Sequence, residues 1–144
     1  MMTIRMLAAA LLLAAPVAAQ DAALPAATAA EIAALTQKAA ATIKPGQPLV
    51  ALPILGFGPY RAVLEYRQAG APAAVHVDQA EIFHVVEGKG QMVTGGALEG
   101  SGIKGGYSRQ LAKGDMVVVP AGVAHWIPSV EGRLVLISTK VPMN

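Results

Sequence analysis

The stretch Gly114–His125, which reads GDMVVVPAGVAH, carries the clearest structural pattern in the chain. Gly114-Asp115 is a typical turn pair, and the four apolar residues Met116–Val119 predict a short buried strand. Pro120-Ala121-Gly122 predicts a second turn, because proline and glycine favour the backbone conformations of turns. The pattern therefore places His125 at the beginning of the next strand, directly after a tight connection.

Short apolar runs recur on both sides of this stretch, and Gly, Pro or Asp stands in nearly every gap between them. Such spacing is typical of an antiparallel sandwich or barrel, so an all-β fold is predicted. The six glycines within residues 95–106 predict a flexible loop or the tip of a long hairpin. The other predicted strands are Leu49–Leu55, Tyr60–Arg67, Ala73–Val77, Glu81–Val86, Gln91–Thr94 and Leu134–Thr139.

One helix is predicted ahead of these strands, at about residues 28–43. Thr28 and Glu31 have the spacing of a capping box, in which each side chain satisfies a free backbone N–H of the other residue. Apolar residues then recur at helical spacing, and Pro45-Gly46 ends the pattern. The apolar positions are Ile32, Leu35, Ala39 and Ile43.

The amino terminus has the pattern of a secretion signal. Arg5 precedes an unbroken run of Leu and Ala at residues 7–15, and small residues follow Pro16. This order is typical of a signal peptide, and the run is shorter than the roughly 20 apolar residues that cross a bilayer. We expect cleavage after Ala19, a periplasmic or secreted mature protein, and no membrane attachment after cleavage. The predicted divisions are a signal peptide at 1–19, an Ala-rich segment with one helix at 20–47, and a β domain at 48–144.

The composition excludes several classes of function. The chain has 144 residues, of which 14% are charged, and a formal net charge of +2 with its basic residues scattered singly. Without a basic stripe, a nucleic-acid partner is not expected. The chain has no cysteine, which removes disulfides, thiol nucleophiles and cysteine-based zinc sites.

Gly114–His125 resembles the second motif of the cupin superfamily, which reads G-x5-P-x-G-x2-H-x3-N. Each position matches up to the last, where Ser129 stands in place of Asn. The first cupin motif, G-x5-H-x-H-x3-4-E-x6-G, is matched in part by His76, Glu81 and Gly88.

The first motif can be aligned in two registers. One register keeps H-x4-E-x6-G, with Ala74 in place of the motif's first His. The other keeps Gly70-x5-His76 and puts Asp78 at the second His, but it leaves only two residues before Glu81. We prefer the first register because it preserves both spacings around Glu81.

The resemblance covers about Leu49 to Val141 and implies a jelly-roll β-barrel. It also implies three metal ligands, His76, Glu81 and His125, for one divalent transition metal such as Fe, Mn, Ni or Zn. Two imidazoles and one carboxylate form a facial triad with open positions. Glu81 is the candidate catalytic residue, as a ligand that also acts as general base. The alternative for His125 is a structural histidine hydrogen-bonded inside the barrel.

Strand alternation predicts which neighbouring side chains face the metal. Counted along the strand from Glu81, His84 points away from the metal, and Trp126 is predicted to pack away from it as well. Phe83 and Gln91 have the parity to line a substrate pocket, and Tyr66 is a further pocket candidate.

Cupins often dimerise through sheet edges, so the resemblance also implies a homodimer.

Two functional hypotheses remain open at the level of the sequence. The first is a metal-dependent enzyme, with dioxygenase, isomerase or lyase chemistry on a small molecule. The second is a non-catalytic module that binds a small ligand without metal. The two departures from the cupin motifs, Ala74 and Ser129, favour this second hypothesis.

Overall fold

The computed structural model describes residues 25–143, so the predicted signal peptide lies outside the described residues. One helix and eight strands follow one another along the chain. They are α1 (Ala29–Thr42), β1 (Leu49–Phe57), β2 (Tyr60–Arg67), β3 (Gln79–Thr94), β4 (Ala97–Glu99), β5 (Gly102–Lys104), β6 (Tyr107–Ala112), β7 (Met116–Val119) and β8 (His125–Pro142). The predicted all-β jelly roll with one preceding helix is confirmed.

Helix α1 begins as its sequence predicts. The Thr28 hydroxyl accepts a hydrogen bond from the Glu31 backbone N–H, and a Glu31 carboxylate oxygen accepts one from the Thr28 backbone N–H. This capping box satisfies two N–H groups that the first helical turn leaves free. Within the described chain, no helix is long and apolar enough to cross a membrane.

Six strands form one antiparallel sheet in the order β1-β2-β8-β3-β6, and β7 pairs with β3 as well. Strands β4 and β5 form a separate hairpin within the glycine-rich segment. The long strands β3 and β8 pair along almost their whole length, from Gln79↔Pro142 to Thr94↔His125. Strands β7 and β6 pair with successive halves of β3, so β3 is central to the sheet.

Two features of the predicted strands are wrong, and one strand was missed. The runs Glu81–Val86 and Gln91–Thr94 belong to one strand, β3, because its pairing with β8 continues through register shifts in the intervening glycine-containing segment. The predicted strand Ala73–Val77 forms only an isolated bridge at Ala74. Strand β6 was not predicted, because its mostly exposed and polar sequence has no apolar run.

Gly88 is required where β3 passes β8. Its φ is +82°, a region that L side chains rarely adopt, and a Cβ there would lie 2.0 Å from the Arg133 carbonyl oxygen. The close approach of the two backbones explains why glycine stands at this position.

The core has two parts, one on each face of β8. Leu134 and Leu136 pack inside the barrel with Phe83, whereas Val135 packs on the other face beneath Ala39 of α1. Because β8 is covered on both faces, its residues Leu134-Val135-Leu136 are all fully buried. The remaining buried members of the inner cluster are Val85, Met92, Leu111, Val117, Val119 and Ile127.

Candidate metal centre

Three side chains from different parts of the fold meet inside the barrel. Glu81 lies near the start of β3, His125 is the first residue of β8, and His76 lies in the segment that precedes β3. Each offers one ligand atom, and these atoms all lie within 4.8 Å of one another. Glu81 Oε2 is 3.3 Å from His76 Nε2 and 3.2 Å from His125 Nε2. The structure therefore brings together the three residues predicted as metal ligands.

Backbone pairing explains how the two histidines converge. Ala74 and His125 exchange both backbone hydrogen bonds, each with an N···O distance of 2.9 Å. Two residues further along, the carbonyl of His76 accepts a hydrogen bond from the Gly122 N–H at 2.7 Å. The segment before β3 is thereby fastened to the turn before β8, which positions both imidazoles beside Glu81.

The two oxygens of the Glu81 carboxylate have different surroundings. Oε1 accepts a hydrogen bond from the hydroxyl of Ser138, a fully buried residue of β8. Oε2 is buried and, among the residues that the structure describes, has no hydrogen-bond partner. A buried carboxylate oxygen without a partner is costly, because it has lost its hydration. A cation between Oε2 and the two Nε2 atoms would remove that cost, so the residues present fit a metal ion.

Opposing effects determine the protonation of Glu81. Burial raises the pKa of this carboxyl, whereas the contacts with His125 and Ser138 and the positive charges of His125 and Lys140 lower it. The lowering effects prevail, and the pKa of Glu81 lies below its ordinary value. Lys140 takes part because it is the direct cross-strand partner of Glu81 in the pairing of β3 with β8. Glu81 is therefore anionic at neutral pH, as a metal-ligand candidate needs to be.

Aromatic rings surround the histidine side of the triad. The ring centroid of His125 lies 5.3 Å from that of His76 and 5.6 Å from that of Phe83. The His76 side chain is 28% exposed, compared with 10% for His125 and 4% for Glu81. The His76 side of the triad is therefore its most solvent-accessible side, and Phe83 borders the buried His125 ring.

A family model for cupins matches residues 37–142, which is more than half of the chain. The chain belongs to the cupin family. No curated protein matches its sequence. The metal-ligand candidates of this cupin lie at the positions where its two motifs predict them.

Solved structures share the fold at low sequence identity. KdgF from Halomonas sp. is 19% identical with a TM-score of 0.57, over 71% of this chain and 84% of that one. The DMSP lyase DddQ from Ruegeria pomeroyi is 20% identical with a TM-score of 0.51, over 65% and 47%. Fe(II)-containing HppE is 15% identical with a TM-score of 0.57, over 66% and 52%. These likenesses establish the fold that the cupin shares with each of them.

Two of the three predicted pocket residues do not reach the triad. Met92, not Gln91, packs with Phe83, because the register shifts in β3 change the strand's parity between Val85 and Met92. The Gln91 amide instead donates a hydrogen bond to the Ser108 hydroxyl at 2.7 Å. Tyr66 belongs to the cluster beneath α1, on the other face of the sheet.

His84 and Trp126 lie away from the triad, as predicted. His84 is exposed and lines an open apolar cavity of about 550 Å³ between α1 and the outer face of the sheet. The indole Nε1 of Trp126 donates a hydrogen bond to the Ala71 carbonyl at 2.9 Å, and its ring packs against Gly102 of β5. Trp126 therefore joins the β4–β5 hairpin to β8 and has a structural role.

Sequence reasoning missed Ser138 and Lys140. Ser138 has one signal that could have identified it, since it is the first polar residue after the apolar run Leu134–Ile137. A polar side chain in a strand buried on both faces needs a partner. Lys140 has no comparable signal, because its position beside Glu81 depends on the register of β8 against β3.

Proposed function

We propose that this cupin binds one divalent transition metal through His76, Glu81 and His125, and that the loaded centre binds and acts on a small molecule. The observation that carries the proposal is the buried Oε2 of Glu81, which faces two imidazole nitrogens and has no hydrogen-bond partner within residues 25–143. Without a cation, compensation for the desolvation of this oxygen rests on the two imidazoles, whose Nε2 atoms lie 3.3 and 3.2 Å away.

The donor atoms restrict which metals the site would bind. Two imidazole nitrogens and one carboxylate oxygen suit first-row transition metals such as Fe, Mn, Ni and Zn, with coordination positions left for water or substrate. The presence of Fe(II) in the similar HppE structure supports iron as the first metal to test. A bound metal of this kind supplies Lewis acidity or activates dioxygen.

The protein's own residues hold and shield the centre. Glu81 supplies the negative charge that offsets part of the metal's charge, and its low pKa keeps it ionised. Phe83 borders the His125 ring and limits the access of water from that side. The exposed edge of His76 leaves a route for a small molecule. To act as a base, Glu81 would have to release the metal, because Oε2, the oxygen that Ser138 does not hold, is also the oxygen that would bind the metal.

Three reaction classes stay within this proposal: dioxygenation, isomerisation and lyase chemistry. The KdgF, DddQ and HppE likenesses do not separate them, because a shared fold hosts many reactions. The competing hypothesis is a small-ligand-binding cupin without metal, which the alanine at position 74 favours.

Metal content separates the two hypotheses. The untagged chain is purified and its metals are measured by elemental analysis, beside the double variant Glu81→Ala/His125→Ala. His84→Ala is the matched control, because it removes an exposed imidazole outside the triad. We expect stoichiometric metal in the wild type and in His84→Ala and none in the double variant. Wild-type protein that stays metal-free after addition of Fe(II), Mn(II), Ni(II) or Zn(II) would contradict the proposal.

We also propose that the protein is exported, with cleavage after Ala19, and that it forms a homodimer. The apolar run at residues 7–15 and the small residues before Gln20 support export. The mass of the protein recovered outside the cytoplasm tests the cleavage site. A gel-filtration mass equal to that of the monomer would contradict the dimer.

A further inference from the structure

Ser138 is the side chain that restrains the Glu81 carboxylate. It lies 57 residues further along the chain, and its hydroxyl donates to Oε1. In the pairing of β3 with β8, Ser138 is opposite Phe83 and Lys140 is opposite Glu81, so the serine is a diagonal neighbour of Glu81 on the inner face of the sheet. Its residue exposure is 0%, and both its cross-strand partner Phe83 and Leu136, two residues before it, belong to the inner apolar cluster.

The hydrogen bond makes the two carboxylate oxygens unequal. Oε1 is engaged by Ser138, whereas Oε2 faces His76 and His125 and has no hydrogen-bond partner in the described part of the chain. The Ser138 hydroxyl occupies one of the lone pairs of Oε1, which makes Oε1 the less available oxygen for a metal. Hydrogen bonds from neighbouring residues commonly fix the orientation of metal-binding carboxylates in this way.

We propose that Ser138 is a positioning residue of the metal centre, which holds Glu81 so that it binds the metal through Oε2 alone. This inference rests on the proposed metal-binding function. A single oxygen from Glu81, with one nitrogen from each histidine, keeps the protein contribution at three coordination positions. Ser138 thereby preserves the positions that a substrate would use.

The first experiment measures the affinity for Zn²⁺ alone, by competition with a chromophoric chelator, in the metal-free full chain. The variants are Ser138→Ala, which removes the hydroxyl, and Ser138→Thr, which retains it. Ser129→Ala is the matched control, because it makes the same change at an exposed position of β8. We expect Ser138→Ala to bind Zn²⁺ about 10- to 100-fold more weakly, in the range known for hydrogen-bond partners of metal ligands. Ser138→Thr should recover most of the affinity, and Ser129→Ala should match the wild type.

The second experiment reads the coordination mode, and its wild-type result tests the inference even if Ser138→Ala does not fold. Infrared difference spectra of Zn²⁺-loaded minus metal-free protein, with ¹³C-labelled glutamate, isolate the carboxylate that responds to the metal. Binding through one oxygen widens the separation between the asymmetric and symmetric carboxylate stretches, and binding through both narrows it. We expect the wide separation in the wild type and the narrow one in Ser138→Ala.

The outcomes distinguish this inference from the proposed function. Wild-type protein that binds no Zn²⁺ would overturn both. A wild type that binds Zn²⁺, together with a Ser138→Ala affinity within twofold of it, would overturn the role of Ser138 alone. Ser138→Ala is compared only if it folds. If it does not fold, a narrow separation between the two carboxylate stretches in the wild type would still overturn the inference, and a wide separation would support it.

Discussion

Ala74 and His125 face each other as a hydrogen-bonded antiparallel pair, in which the N–H of each donates to the C=O of the other at 2.9 Å. Side chains of such directly opposed residues project from the same face, with Cα atoms about 5.5 Å apart. Ala74 therefore lies beside the imidazole of His125, at the position where the first cupin motif has a histidine. The triad of His76, Glu81 and His125 therefore has beside it a position that carries only the methyl group of Ala74.

This pairing predicts that Ala74→His adds a fourth ligand. The new imidazole would project toward the metal from the same face as His125, so we expect the affinity for Zn²⁺ to rise at least tenfold, which corresponds to about 1.4 kcal/mol. Competition with a chromophoric chelator measures the change. Ala73→His is the control, because adjacent residues in an extended segment point to opposite sides. Equal affinity in Ala74→His and the wild type would contradict the prediction.

Metal binding predicts a concentration-dependent gain in thermal stability. A metal that binds only the folded chain stabilises it by about 2.7 kcal/mol when its free concentration is 100 times the Kd. We expect the Tm of the wild type and of His84→Ala to rise on addition of Zn²⁺, as measured by differential scanning calorimetry. The double variant Glu81→Ala/His125→Ala should show no rise. An equal rise in that variant would place the metal elsewhere.

The low pKa of Glu81 predicts how stability depends on pH in the metal-free protein. A carboxyl whose pKa is lower in the folded than in the unfolded chain stabilises the fold above the unfolded pKa, whose ordinary value is 4.5. That contribution is lost as the pH falls through the folded pKa. The stability difference between the wild type and Glu81→Gln should therefore shrink as the pH falls below about 4.5.

Urea denaturation at several pH values from neutral to acid measures this difference. Glu99→Gln is the control for the loss of one negative charge, because Glu99 lies in the exposed β4–β5 hairpin. A wild-type advantage over Glu81→Gln that grows as the pH falls below about 4.5 would have the wrong sign and would contradict the lowered pKa.

The inner cluster predicts a large penalty for Leu136→Ala. Leu136 is fully buried and packs with Phe83 inside the barrel. Truncation of such a leucine removes burial and leaves a cavity, so the free energy of unfolding should fall by about 2 to 5 kcal/mol. Leu98→Ala, at a residue 53% exposed, should change it by less than about 0.5 kcal/mol. Chemical denaturation measures both, and similar losses in the two variants would contradict this account of the core.

Features that depend on short spacings were predicted well from the sequence. The capping box of Thr28 and Glu31 is a relation between residues three apart, and the structure contains it. The turns around Met116–Val119 and the alternation that sends Glu81 inward and His84 outward are equally local. Motif spacing also selected His76, Glu81 and His125, because such a motif records which positions a known fold brings together.

Features that depend on distant packing were not predicted. Gln91 was assigned to the pocket by counting alternation from Phe83, but the register shifts where β3 pairs with β8 change its parity. Tyr66 lies on an alternating strand, and alternation identifies two faces without telling which one is inside. Helix α1 decides that question by covering the face that carries Leu64 and Tyr66.

By itself, then, the sequence determined an all-β fold with a leading helix and nominated three ligands for one metal centre. Only the tertiary structure decided which oxygen of Glu81 is available, because Ser138, 57 residues further along the chain, reaches Oε1 through the register of β8 against β3. Local chain geometry fixes periodicity within a segment, whereas the pairing of distant strands sets which side chains meet. The surroundings of the Glu81 carboxylate depend on that second kind of contact.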